Sequence, residues 1–275
     1  MGQIGSEEWK KKEDDETMEN GDKIVENLNK VKHKVVVLSG KGGVGKSTVA
    51  SNLATNINGL GKRVGLLDCD IHGPSIPKIF GIDNKKLLST PDNRIQPFMV
   101  NKNLFVVSMG LILEKDRPVI WRGPLKMKAI RQFLEDVSWG ELDYLIIDLP
   151  PGTGDEPLSI AQLLPTPDGA IIVTTPQDVA LISVRRSINF TRALNMPIIG
   201  LIENMSGFVC PNCGAVIDIF KKGGGEKAAR DMRVKFLGSI PIDPKIVESE
   251  DEGTNYIIRE FEAVAKRVIE EIERK

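Results

Sequence analysis

The stretch that most restricts what this chain can fold into is "SGKGGVGKST", residues 39–48. It follows a β-branched run, "KVVVL" (34–38), and opens "KSTVASNLATNINGLGK", where Val49, Leu53, Ile57 and Leu60 fall on one helical face and Gly59 and Gly61 stop the helix. Strand, glycine loop and amphipathic helix in direct succession make one βα unit. Six further apolar runs continue the alternation: "RVGLL" (63–67), "NLFVV" (103–107), "DYLIID" (143–148), "GAIIVTT" (169–175), "PIIGLIEN" (197–204) and "KFLGSIP" (235–241). The last helical stretch carries Ile257, Phe261, Val264, Val268 and Ile272 on one face. Most runs lack polar alternation, so both faces of the sheet should be covered. The expected fold class is α/β, a doubly wound, mostly parallel sheet of about seven strands with helices on both faces.

Within that frame, Gly40 to Ser47 reads Gly-x-x-x-x-Gly-Lys-Ser, and its strand-to-helix setting is the one a P-loop requires. Gly40, Gly42, Gly43 and Gly45 let the backbone amides of the loop, those of Lys41 and Val44 included, turn inward around phosphates at a helix N-terminus. Lys46 reaches the β and γ oxygens, the Ser47 hydroxyl ligates Mg2+, and Thr48 is placed for the α-phosphate. Such a loop needs a metal-side carboxylate at the end of a neighbouring strand, and Asp148 ends "DYLIID". The Pro- and Gly-rich loop after it, residues 150–155, can sense a γ-phosphate through the amide of Gly152 or Gly154. Asp70 in "LLDCDIHGPS" is assigned to orient the attacking water. Asp68 either belongs to the magnesium shell or simply ends its strand. Cys69 reads as a small buried residue, His72 has no identifiable partner, and His33 is uninformative.

At 275 residues, 41% hydrophobic and 27% charged, the chain can bury one large core. A formal charge of −1 gives no general pull toward nucleic acid or anionic lipid, and neither is expected as a partner. Three cysteines, no signal-peptide pattern and no apolar run of about 18 residues point to a reduced, cytoplasmic setting. Residues 1–30 differ: from Ser6 to Lys30 nine acids face five bases with little apolar periodicity, which predicts a disordered charged tail ahead of a P-loop ATPase domain at 31–275. "MGQIGS" fits a six-residue myristoylation pattern, but one acyl chain beside an acidic tail anchors poorly. Met109, Trp121, Met127 and Phe133 read as core rather than as a partner-facing surface, and "FKKGGGEKAARDM" reads as a mobile connection opening a helix at Glu226.

"CPNCG" places Cys210 and Cys213 in a CxxC insertion. In a reduced compartment the pair can be a redox dithiol, half of a metal site, or a turn with inert thiols. A redox pair usually opens a helix, whereas here a β-prone "AVIDIF" follows. A cluster or zinc needs about four ligands and each chain offers two, so two chains would complete the set. The residues alone do not separate zinc from iron-sulfur.

The loop Lys41-Gly-Gly-Val-Gly-Lys46-Ser-Thr resembles the deviant Walker A of the nitrogenase-iron-protein and MinD class of ATPases. The resemblance implies a homodimer in which Lys41 reaches the partner's nucleotide while Lys46 serves its own. "DCDIHGPSIPKIFGI", "WRGP", "DYLIIDLPPGTGDE", "IENMSGFVCPNCG" and "LGSIPIDP" together resemble the Mrp-type P-loop ATPases over about residues 31–275. That resemblance implies slow ATP hydrolysis, adenine binding by Asn204, and a [4Fe-4S] cluster on Cys210 and Cys213 of two subunits, received from a cluster donor and passed to iron-sulfur apoproteins. The tail lacks the cysteine cluster of the eukaryotic scaffold branch. Two rival readings remain: a MinD-type positioning ATPase with a structural zinc, and a tyrosine kinase of the same superfamily. The carboxy-terminal helix mixes acids with bases and the chain has two tyrosines, and positioning or kinase activity by itself explains neither Cys210 nor Cys213.

Overall fold

The computed structural model describes residues 23–112, 123–254 and 256–274. A short helix, α1 (23–28), leads into β1 (Val31–Leu38), α2 (Lys46–Gly59), β2 (Val64–Asp68), α3 (Ile76–Ile79), β3 (Leu88–Ser89), β4 (Ile95–Gln96), β5 (Phe98–Asn101) and β6 (Leu104–Ser108). There follow α4 (Gly123–Asp136), β7 (Leu142–Asp148), α5 (Asp155–Leu163), β8 (Gly169–Thr174), α6 (Asp178–Ala193) and β9 (Ile198–Glu203). The last part holds β10 (Phe208–Val209), β11 (Val216–Ile217), α7 (Gly224–Asp231), β12 (Phe236–Ser239), α8 (Pro244–Glu252) and α9 (Arg259–Glu273).

The central sheet has the order β12-β9-β8-β1-β7-β2-β6-β5. Its seven parallel strands are the seven apolar runs of the sequence, and the eighth, β5, pairs antiparallel with β6 at the edge. β5 escaped notice because "FMVN" is short and alternates in burial, as an edge strand does. The chain winds outward from β1 to β2 and β6, returns to β7 between β1 and β2, then passes to β8 on the far side of β1. That reversal opens a crevice at the carboxyl ends of β1, β7 and β8.

The lack of polar alternation follows from two buried faces. Val35 and Val37 of β1 and Tyr144 and Ile146 of β7 join a core under α2, α3, α8 and α9. Val36, Leu38, Leu145 and Ile147 join a second core under α1, α4, α5, α6 and α7. Val49, Leu53 and Ile57 are buried as the periodicity of α2 requires, and so are Phe261, Val264, Val268 and Ile272 of α9. Leu60 and Ile257 depart from the expected stripes: each lies beyond its helix end, where the 3.6-residue period no longer applies, and is exposed. Met109 and Phe133 are buried and Met127 packs against the second core, while Trp121 lies outside the described residues.

Helical structure extends ahead of the expected domain start at residue 31. Residues 23–28 are helical, with Ile24 and Leu28 buried in the second core, and Asn27 Nδ2 donates to the carbonyls of Leu134 (2.9 Å) and Val137 (3.0 Å). Two apolar residues four apart carry too little periodicity to stand out from a charged background. The "MGQIGS" pattern and the rest of the tail lie outside the described residues.

Candidate functional site

The loop between β1 and α2 lies at the carboxyl end of the sheet's central strand. Gly43 and Gly45 both have φ +75°, a left-handed conformation that favours glycine. Gly40 is required by proximity instead: a Cβ there would come within 2.4 Å of the Ser183 carbonyl oxygen on α6. Ser39 Oγ donates to the Lys41 carbonyl, tightening the entry to the loop. The half-buried Lys41 lies in this loop, and Gly42 is exposed.

Lys46, buried at the first position of α2, places Nζ 2.7 Å from Asp148 Oδ1 and 3.4 Å from Ser47 Oγ. Ser47 Oγ donates to the other oxygen of Asp148 at 2.6 Å. β2 and β7 lie side by side in a register that pairs Asp68 with Asp148, so two fully buried carboxyls are neighbours. Burial first, and the negative charge of Asp148 second, push Asp68 up to about 7. Ser108 Oγ donates to its Oδ2 and the Asp70 amide to its Oδ1. Asp148 is raised by burial, with Lys46 opposing the shift. Two buried carboxyls and a serine hydroxyl against a single ammonium form an oxygen-rich, negative donor set that suits Mg2+.

The half-buried Asp70 accepts from the amides of His72 (3.1 Å) and Gly73 (3.2 Å), so its carboxylate is held within its own turn. The amide of Gly152 donates to the Ser39 carbonyl at 2.8 Å, tying the loop after β7 to the loop after β1, and Gly154 is the N-cap of α5. Cys69 is buried, and burial together with Asp68 raises its thiol well above the usual range.

Asn204, just beyond β9, donates its Nδ2 to the Val44 carbonyl at 3.0 Å and braces the glycine loop from outside. Thr48 Oγ1 donates to Glu250 Oε2 of α8 at 3.0 Å. Glu250 is raised by burial, and its Oε1 is buried without a hydrogen-bond partner among the described residues. His72 does have partners: it meets Lys126 Nζ of α4, and Glu156 of α5 lies 3.6 Å away, while Lys126 donates to Glu156 at 2.7 Å. This cluster links the loop after β2 to the helix that follows the loop after β7. No local signal in the sequence announces Glu250, Lys126 or Glu156, because each acquires its partner from a distant element.

Cys210 and Cys213 occupy the tip of a two-stranded ribbon, β10–β11, inserted between β9 and α7. The Cys210 amide donates to the Ala215 carbonyl, and the Gly214 amide, at φ +73°, donates to the Cys210 carbonyl. The backbone amides of Cys213 and Asn212, then the Cys213 thiol, hold the Cys210 thiol below the usual cysteine range. Thiolate character of this kind favours ligation of a soft metal centre. Among the described residues, no group of three or more His, Cys, Asp or Glu side chains is placed to hold a metal ion. Val209, Val216, Ile217 and Ile219 of the ribbon are exposed, as are Val179 and Ile182 on α6. The expected mobile connection is instead anchored: Gly223 and Gly225 donate to the buried carboxylate of Glu203, and α7 begins at Gly224.

A glycine loop with Lys46 and Ser47 directed at a strand-end aspartate, on a doubly wound sheet, defines a P-loop NTPase. The ParA family model described as NUBPL iron-transfer P-loop NTPase matches residues 30–275, and the chain belongs to that family. The iron-sulfur cluster carrier protein of Methanocaldococcus jannaschii is 55% identical over 260 residues, covering 92% of this chain and 89% of the relative. The cytosolic Fe-S cluster assembly factor CFD1 of Saccharomyces cerevisiae is 49% identical over 225 residues, covering 79% and 76%. Among solved structures, the nucleotide-binding protein of Archaeoglobus fulgidus in complex with ADP superposes with a TM-score of 0.75 at 40% identity, covering 85% of this chain and 91% of its own. The cell division ATPase MinD of Pyrococcus furiosus, at 22% identity and a TM-score of 0.62 over 88% and 99%, shares the fold.

Proposed function

We propose that this protein binds ATP with Mg2+, hydrolyses it slowly, and as a cytoplasmic homodimer carries a [4Fe-4S] cluster between a cluster donor and iron-sulfur apoproteins. The observation that carries the reading is a P-loop and a thiol-bearing ribbon that are both hydrogen-bonded to one residue pair, Asn204 to the Val44 carbonyl and Glu203 to the Gly223 amide. The names of the relatives, cluster carriers and assembly factors, support the cargo.

Loop amides from Gly40 to Gly45 wrap the phosphates and Lys46 leaves Asp148 for their β and γ oxygens. Ser47 and Asp148 would hold Mg2+, with Asp68 beside them. When bound, the magnesium ion offsets charge on the phosphates. Thr48 exchanges Glu250 for the α-phosphate. Asn204 keeps its amide nitrogen on Val44 and offers its amide oxygen to the adenine amino group. Asp70 accepts a hydrogen bond from the attacking water and orients it. Lys41 reaches the partner's nucleotide, where a second cation counts most during γ-phosphoryl cleavage.

The homodimer follows from ligand count and from exposed apolar surface. Two thiols per chain complete four ligands only in pairs. Val179 and Ile182 near the glycine loop, with Val216, Ile217 and Ile219 on the ribbon, form apolar surface of the kind that partners cover.

Anaerobic reconstitution tests the carrier. About four iron per dimer are expected, lost in Cys210→Ser or Cys213→Ser and retained in Cys69→Ser. Four iron per monomer, or zinc bound tightly at this ribbon, would replace the carrier with an ATPase holding a structural metal. For the nucleotide site, Asp70→Asn is expected to bind ATP and fail to hydrolyse it; undiminished turnover would remove Asp70 from its role.

A further inference from the structure

The cysteine ribbon leaves and re-enters the fold against one buried carboxylate. Glu203, the last residue of β9, is fully buried and accepts three hydrogen bonds. Ser206 Oγ, on the leg where the chain departs toward Cys210, donates to Oε1. On the leg where it returns, the Gly223 amide donates to the same oxygen at 2.9 Å and the Gly225 amide donates to Oε2. Residues 207–222, which carry both thiols at their tip, are therefore pinned at both ends by one side chain.

Three further features make this root rigid. Met205, between Asn204 and Ser206, has φ +57°, a strained conformation that persists only where its surroundings over-determine it. Gly224 lies so close to the end of β8 that a Cβ would come within 2.2 Å of the Pro176 carbonyl oxygen. The Ser206 amide donates to the Ile240 carbonyl and the Ile242 amide to the Gly207 carbonyl, fixing the departing leg against the segment after β12. On the other side of Glu203, its chain neighbour Asn204 holds the Val44 carbonyl of the glycine loop. Hydrogen bonds from Val44 to Asn204 and from Glu203 to both legs of the ribbon are thus joined through the single peptide link between Glu203 and Asn204.

We propose that Glu203 is a positioning residue that moves the ribbon as one body in response to nucleotide. Nucleotide entering the loop shifts the Val44 carbonyl, Asn204 follows it, and Glu203 carries the shift to Ser206, Gly223 and Gly225. The thiols of Cys210 and Cys213 then change their presentation without any contact with phosphate. Coupling of this kind is reciprocal, so a ribbon held by cargo also alters how the loop meets nucleotide. The proposal rests on the reading that this loop binds ATP.

The test measures alkylation of Cys210 and Cys213 by iodoacetamide, resolved by mass spectrometry, on the full chain without iron. Rates are compared with and without a non-hydrolysable ATP analogue and Mg2+, while binding is followed by fluorescence of a labelled nucleotide. In the wild type, nucleotide is expected to change the rates at least about fivefold, the low end of typical couplings. In Glu203→Gln, whose amide nitrogen cannot accept, saturable nucleotide binding is expected to remain while the rates become the same in both states. A general loosening would raise both rates and leave their ratio intact, so the ratio separates positioning from mere structure. Ser206→Ala, which removes one donor of three, is expected to give an intermediate ratio and carries the test should Glu203→Gln fail to fold. Wild-type rates indifferent to bound nucleotide, or a wild-type ratio in both variants, would overturn the proposal while leaving the ATP-binding reading intact. Absence of saturable binding in the wild type would overturn both.

Discussion

Lys46 and Asp148 hold each other's charge, and this makes the lysine proposed to bind phosphate a structural residue as well. Asp148 has no solvent to fall back on, so Lys46→Ala is expected to abolish nucleotide binding and also to destabilise the free protein by about 3–5 kcal/mol. Adding Asp148→Asn removes the stranded charge and should restore most of that stability without restoring binding; urea melts of the three variants check it. The folded-state pKa of Asp68 is about 7 against an ordinary 3.8, so the folded protein binds the extra proton and stability falls as pH rises between those values. Asp68→Asn should therefore match the wild type near pH 4 and, in magnesium- and nucleotide-free buffer at pH 8, melt several degrees higher. A wild-type melting curve equally offset at both pH values would contradict the assignment.

The glycine loop illustrates two different demands on one element. Gly43 and Gly45 share a left-handed φ, but a Cβ at Gly43 meets nothing within 4 Å, whereas one at Gly45 would come 2.2 Å from Asn204 Nδ2. Gly43→Ala is expected to cost only the backbone strain, about 1–2 kcal/mol. Gly45→Ala adds displacement of Asn204, loss of the Val44 brace and at least a tenfold loss of nucleotide affinity; calorimetric titration of the pair separates the two effects. The loops after β1 and β7 form a second coupled pair through the Gly152 amide and the Ser39 carbonyl, and the Lys126–Glu156–His72 cluster adds the loop after β2. The neighbouring loops at the crevice are thus tied to one another.

At the scale of the whole molecule, the crevice lies where the winding direction reverses about β1, and the ribbon and α6 place exposed apolar side chains around it. In the proposed homodimer, Lys41 of each subunit serves the other's nucleotide. Mixing Lys41→Ala subunits with Lys46→Ala subunits is expected to restore ATP hydrolysis through one composite site, while each homodimer stays inactive. No recovery, with heterodimers demonstrated by native mass spectrometry, would count against action in trans.

The sequence by itself determined the seven parallel strands, the glycine loop and the family, because apolar runs without polar alternation, Gly-x-x-x-x-Gly-Lys-Ser and the CxxC ribbon are local patterns whose meaning does not depend on distant partners. The ion pair of Lys46 with Asp148, the elevated Asp68, the Thr48–Glu250 bond and the double anchoring of the ribbon at Glu203 were decided only by the tertiary structure. Apart from Ser206, three positions from Glu203, the partners lie about 20 to 200 positions apart in the chain, and the burial and neighbouring charge that shift a carboxyl arise only when strands and helices bring them together. The helix at 23–28 belongs to the same group: its two apolar residues acquire significance only from the groove beside α4 that receives them.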